Sequence, residues 1–123
     1  MSMSKYSEAA HWSDKPEAWH DVSQGVKRRI LSHASTGMMV LYRIEAGSVF
    51  ALHNHPHAQF GVFVQGSGVF KVGNETWYMK SGDTYFLPPG IMHEVKTTEN
   101  CVIIDFFTPE REDYLGEALE SEQ

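Results

Sequence analysis

Between residues 26 and 107 the chain runs in short apolar stretches that Gly, Pro and Asn interrupt every eight to twelve residues. None of these stretches carries the 3.6-residue period of an amphipathic helix. A chain punctuated in this way cannot bury its apolar surface in long helices. It must stack short strands, as a sandwich or barrel does. Strands are expected over 26–31, 38–45, 60–65, 69–72, 76–79, 84–87, 91–95 and 101–107, with Gly73-Asn74 as a hairpin turn between the fourth and fifth. At 123 residues there is room for one core, and the aromatic, Val and Ile content is enough to fill it.

The flanks read differently. Residues 1–24 are polar with Trp12 and Trp19 scattered among them, which suggests an arm laid on the outside of a barrel formed by residues 25–109. Residues 110–123 are acidic, and Tyr114, Leu115, Ala118 and Leu119 fall at roughly helical spacing, so a short terminal helix or a frayed tail is expected. The formal charge of −6 argues against nucleic acid or an anionic membrane as partner. The basic triplet Lys27-Arg28-Arg29 reads as the start of a strand with alternating faces. Cys101 has no second cysteine to pair with and sits in an apolar run, where it acts as a small core hydrophobe. No segment is apolar over the length of a bilayer, and residues 1–12 lack the core of a signal peptide, so a cytoplasmic location is expected. Open sheet edges and the external Trp12 and Trp19 predict a homodimer.

Two passages concentrate the chemistry. The first runs from Gly47 to Gln59 and contains His53-Asn54-His55. On a strand, residues two apart face the same way, so the two imidazoles can share one ion. The second, Gly82 to His93, supplies a tight turn, a short strand, the corner Pro88-Pro89-Gly90 and then His93 at the head of the next strand. A third imidazole is thereby available. His57 continues the alternation, but Pro56 bends the chain ahead of it and puts it at the rim rather than among the ligands. His11, His20 and His33 belong to neither passage and are assigned no role.

Gly47, His53, His55, Gln59 and Gly66 follow the spacing of the first cupin motif, and Gly82, Pro88, Gly90 and His93 that of the second. The chain therefore resembles the cupin superfamily. The resemblance implies an all-β fold: a small single-domain cupin, that is, a double-stranded β-helix or jelly-roll barrel, with an N-terminal arm and a short C-terminal helix or tail. It also implies one divalent transition metal ion, whether nickel, zinc, iron, manganese or cobalt, held by His53, His55, Gln59 and His93. Cupins ordinarily carry glutamate where this chain has Gln59. A neutral amide leaves the ion its full dipositive charge and gives a trivalent state less support. The expectation therefore shifts from oxygen activation toward Lewis-acid chemistry.

Asp105 stands inside Val102-Ile103-Ile104-Asp105-Phe106-Phe107, the most apolar stretch of the chain. A carboxylate there needs a partner, a metal or a proton. Two accounts are open. It pairs with an arginine such as Arg28, Arg43 or Arg111, or it lines the metal cavity together with Phe107, two residues on, as a general base or acid with a tuned pKa.

Residues 105–115, with Gln59, Arg28-Arg29-Ile30-Leu31-Ser32-His33 and Met38-Met39-Val40, are similar to the KdgF-type cupins of pectin and alginate breakdown. That resemblance implies an enzyme, a metal-dependent isomerase of carbohydrate metabolism that opens the ring of a Δ4,5-unsaturated uronate to a linear keto-uronate. Asp105, Phe107 and Arg111 would be its catalytic residues and a small acidic sugar its substrate. The alternatives are another metal-dependent cupin enzyme, a lyase or dioxygenase on a small organic acid, or a non-catalytic sugar-binding cupin.

Overall fold

The computed structural model describes residues 9–118 and 120–122, the side chain of Leu52 excepted. Leu119 and the first eight residues of the expected arm lie outside the described residues. The turn residues divide the described chain into ten strands: β1 His20–Ser23, β2 Val26–Ala34, β3 Gly37–Ile44, β4 Val49–His53, β5 Ala58–Gln65, β6 Gly68–Val72, β7 Glu75–Met79, β8 Thr84–Leu87, β9 His93–Thr97 and β10 Cys101–Thr108. β1 and β4 are additional to the strands expected from the sequence. The tail makes a short 3-10 helix, Glu112–Glu117, and no helix of the described residues is long and apolar enough to cross a membrane.

The strands form two antiparallel sheets, six-stranded β1-β2-β3-β10-β5-β8 and four-stranded β4-β9-β6-β7. This is the expected all-β jelly-roll barrel. Side chains alternate in and out along each strand. On β10 the buried set is Cys101, Ile103, Asp105 and Phe107, so Asp105 shares the inward parity of three core hydrophobes. On β3 the buried positions Met38, Val40, Tyr42 and Ile44 face the same interior. Register then aligns inward residues in rows across the large sheet. One row is Val40, Asp105, Gly61 and Tyr85, and the next is Met38, Phe107, Gln59 and Leu87.

The flanks are strapped to the barrel by charge and aromatic contacts. Trp19 lies against the guanidinium groups of Arg29 and Arg43, and Arg29 pairs with Asp14 at 2.6 Å. Trp12 packs on His33 with ring centroids 5.8 Å apart. Both tryptophans are thus partly covered by their own chain rather than left wholly outside. At the other end, Arg28 forks to Glu117 at 3.0 and 2.6 Å and stacks on Tyr114, whose hydroxyl meets that of Tyr42 at 3.0 Å inside the barrel.

Candidate metal centre

Register brings two of the motif histidines together. His53 ends β4, His93 opens β9, and the two are cross-strand partners with ring centroids 4.2 Å apart. His55 arrives differently. The strand stops at His53, so the face alternation expected from the sequence is not what aims the second imidazole. The loop is pinned instead: the Gly90 amide donates to the His55 carbonyl at 2.8 Å, and Gly90, at φ +82, makes the turn that brings it there. The ligating nitrogens of His53, His55 and His93 all lie within 4.8 Å of one another.

A common device orients the three rings. Nδ1 of His53, His55 and His93 lies 2.7, 3.1 and 3.0 Å from the backbone carbonyls of Ala51, His57 and Ile91. A carbonyl can only accept, so Nδ1 carries the proton in each ring and Nε2 presents a lone pair. Burial lowers the pKa of all three, that of His93 to about 4, which keeps the imidazoles neutral as a metal requires. His55 Nε2 then faces Gln59 Oε1 at 2.9 Å. Both atoms are acceptors with no proton between them, and such a convergence of lone pairs is the donor set of a cation site. The residues present therefore fit a divalent ion.

Asp105 is only 5% exposed and accepts a hydrogen bond from the Tyr85 hydroxyl. Burial pushes its carboxyl up to about 7, against the opposing pull of Tyr85, of the Gln59 amide and of the Arg111 charge. None of the three arginines considered as its ion-pair partner takes that place. Arg28 is spent on Glu117, Arg43 lies over Trp19, and Arg111 forks to Asp113 through Nε and Nη2 at 2.9 and 2.6 Å. Arg111 is nonetheless buried, with its guanidinium over the rings of Phe107 and Tyr114.

These groups share one narrow cavity that is open at its mouth. His53, Gln59, His93, Asp105, Phe107 and Arg111 all line it. His57 is not in the triad and touches the His55 and Phe107 rings from the side. Sequence reasoning missed Tyr42, Phe50, Tyr85 and Tyr114, which complete the walls. A signal for Tyr85 existed: it alternates with Leu87 in the second motif, and an inward phenol needs a hydrogen-bond partner.

A model of the Cupin domain matches residues 40–107. The chain belongs to the cupin family. This cupin is 31% identical over 107 residues to the pectin degradation protein KdgF of Dickeya dadantii (strain 3937), a match spanning 85% of this chain and 97% of that protein. Among solved structures, KdgF from Halomonas sp. superposes with a TM-score of 0.74 at 33% identity, covering 77% of this chain and 88% of its own. An RmlC-like cupin from Shewanella frigidimarina NCIMB 400 gives a TM-score of 0.80 at 28% identity, covering 86% and 96%. The likeness to KdgF-type cupins read from the sequence is borne out.

Proposed function

We propose that this cupin is a metal-dependent isomerase that converts a Δ4,5-unsaturated uronate to a linear keto-uronate in pectin or alginate breakdown, and that it acts in the cytoplasm. The observation that carries this reading is a buried carboxyl poised near neutrality, Asp105, lining the same cavity as Gln59 and the histidine triad. The likeness to KdgF proteins supports it.

The chemistry asks for little more. A Δ4,5-unsaturated uronate is a cyclic hemiacetal. Opening breaks the bond from C1 to the ring oxygen, makes C1 an aldehyde, and turns the ring oxygen into an enol oxygen on C5. A proton delivered to C4 then yields the ketone. One proton leaves the C1 hydroxyl and one arrives at C4, so the product is an isomer and nothing is oxidised. A group that takes and returns a proton near pH 7 meets that need, and Asp105 is such a group. His53, His55, Gln59 and His93 would hold a divalent ion, which when bound would supply Lewis-acid chemistry. Arg111 pairs with the uronate carboxylate through Nη1, the edge not committed to Asp113. Phe107 forms the apolar wall beneath it.

This reading also explains the amide at position 59. Glutamate there would set a second carboxylate against Asp105, and like charges in a buried site raise each other's pKa. Gln59 offers an oxygen to the ion and adds no charge to the cavity that Asp105 lines. In this scheme residues 25–109 are the catalytic barrel, β1 extends its large sheet at the edge, and residues 9–19 are the strap outside it. Residues 110–123 are an acidic segment that contributes Arg111 and Tyr114 to the cavity.

The working form we propose is a homodimer. Met39, Phe106, Phe60 and Phe86 form a continuous outward row across four strands, and the next row, Leu41, Ile104, Val62 and Thr84, is also uncharged. Phe60 is 52% exposed and Phe86 46%. A second copy, itself carrying a net charge of −6, can meet this face without placing acids opposite acids. Light scattering of wild type and Phe60→Glu should give a dimer and a monomer; a monomeric wild type would overturn the proposal. For the reaction itself, metal-loaded protein and the unsaturated monouronate are followed by proton NMR. Faster loss of the ring signals than in buffer is expected, and a rate equal to the spontaneous one would refute the reading.

A further inference from the structure

Tyr85 and Asp105 lie on β8 and β10, which are not neighbours. β5 runs between them. Adjacent strands are about 4.8 Å apart, so a contact between such positions must cross the side chain of the intervening residue. Here that residue is Gly61, the direct partner of Tyr85 on one side and of Asp105 on the other. A Cβ added to Gly61 would overlap the Tyr85 ring carbon Cζ, its hydroxyl and Asp105 Oδ1. Gly61 is not among the glycines with positive φ, so space alone calls for glycine here. Glycine in a strand interior sacrifices packing and backbone entropy, and it marks a place where other groups must approach closely. The hydroxyl of Tyr85 crosses the opened lane and donates to Asp105 Oδ1. Tyr85 is itself locked by the aromatic neighbours Phe63 and Phe70, with ring centroids 6.2 and 4.8 Å away.

We propose that Tyr85 and Gly61 are positioning residues for the Asp105 carboxyl: Gly61 vacates the lane through β5, and the Tyr85 hydroxyl reaches across it to hold Asp105 in one orientation toward the cavity. The inference rests on the ring-opening reading for its catalytic meaning. Neither residue exchanges a proton with the substrate in this scheme, although the Tyr85 ring forms part of the cavity wall. Their effect is to keep the proton-transferring oxygen aligned, and misalignment of a reacting group by about 1 Å costs on the order of 100-fold in rate. Phenylalanine at 85 keeps the ring and loses only the donor. Alanine at 61 keeps the donor and blocks its path.

The test uses zinc-loaded, substrate-free protein with carbon-13 in its aspartate carboxyls, the Asp105 signal being assigned by its absence in Asp105→Asn. Because the Tyr85 donor stabilises the ionised carboxyl, Tyr85→Phe should move the Asp105 titration midpoint upward, and Gly61→Ala should move it the same way. With the unsaturated monouronate, both variants should show kcat lowered about 10- to 100-fold, with KM within about twofold and zinc content unchanged, a split expected when only transition-state alignment is lost. An unmoved midpoint in the well-folded Tyr85→Phe protein overturns the positioning role whatever the activity. Loss of zinc in step with kcat also overturns it, by assigning Tyr85 to the metal shell. If wild type itself opens no ring while the midpoint moves, the functional reading fails and the positioning of Asp105 stands.

Discussion

A carboxyl whose folded pKa lies near 7 makes stability depend on pH, and Asp105→Asn isolates that dependence. In the unfolded chain Asp105 titrates near its ordinary 3.8, whereas burial holds it at about 7 in the folded protein. Below pH 4 it is protonated in both states and contributes no slope. Between 4 and 7 the unfolded chain gives up a proton that the folded one keeps, so stability falls as pH rises; above 7 both are ionised and the dependence ends. At 1.36 kcal/mol per pH unit the whole span corresponds to roughly 4 kcal/mol, and the interval from pH 5 to 7 to roughly 2.5. Asn carries no such charge. Urea unfolding of chelator-treated wild type and Asp105→Asn from pH 5 to 8 should therefore show the variant gaining on wild type by about 2 to 3 kcal/mol, most of it below pH 7.5, with equal m-values. Parallel stability curves would refute the reasoning, because they would mean that the buried carboxyl is ionised at no cost.

Three further outcomes follow from the geometry. Replacing His93, which is 3% exposed at the centre of the triad, by Ala should abolish stoichiometric metal binding, and Gln59→Ala should weaken it by less; metal content by mass spectrometry checks both. Arg111→Ala should raise KM for the unsaturated uronate more than it lowers kcat, since the guanidinium is assigned to the carboxylate rather than to the proton transfer. Phe107 is 1% exposed, so Phe107→Ala should cost about 3 to 5 kcal/mol in chemical denaturation.

Much of this architecture was legible in the residues because a barrel punctuates its strands with turn chemistry and alternates its faces. β10 shows how far that goes: its parity alone puts Asp105 on the face of Ile103 and Phe107. β1 and β4 were not legible. β1 is four mostly polar residues that form a strand only by pairing with β2, and β4 is squeezed between Gly47-Ser48 and Asn54, with an exposed Val49 that blurs its alternation. Tertiary pairing decides such segments, not local propensity. The three histidines were readable from motif spacing, although His55 reaches its place by a pinned loop rather than by strand alternation. The partner of Asp105 was not. Charge complementarity pointed to an arginine, whereas the answer is a tyrosine two strands away, which only the register through Gly61 reveals.

The most direct test of the central claim measures ring opening and metal content on the same sample of Asp105→Ala. The account predicts a metal complement equal to wild type and a rate of unsaturated-uronate opening lower by about two orders of magnitude or more, as for loss of a general acid and base. A variant that keeps its metal and the wild-type rate would contradict it, and would remove the carboxyl at 105 from the chemistry.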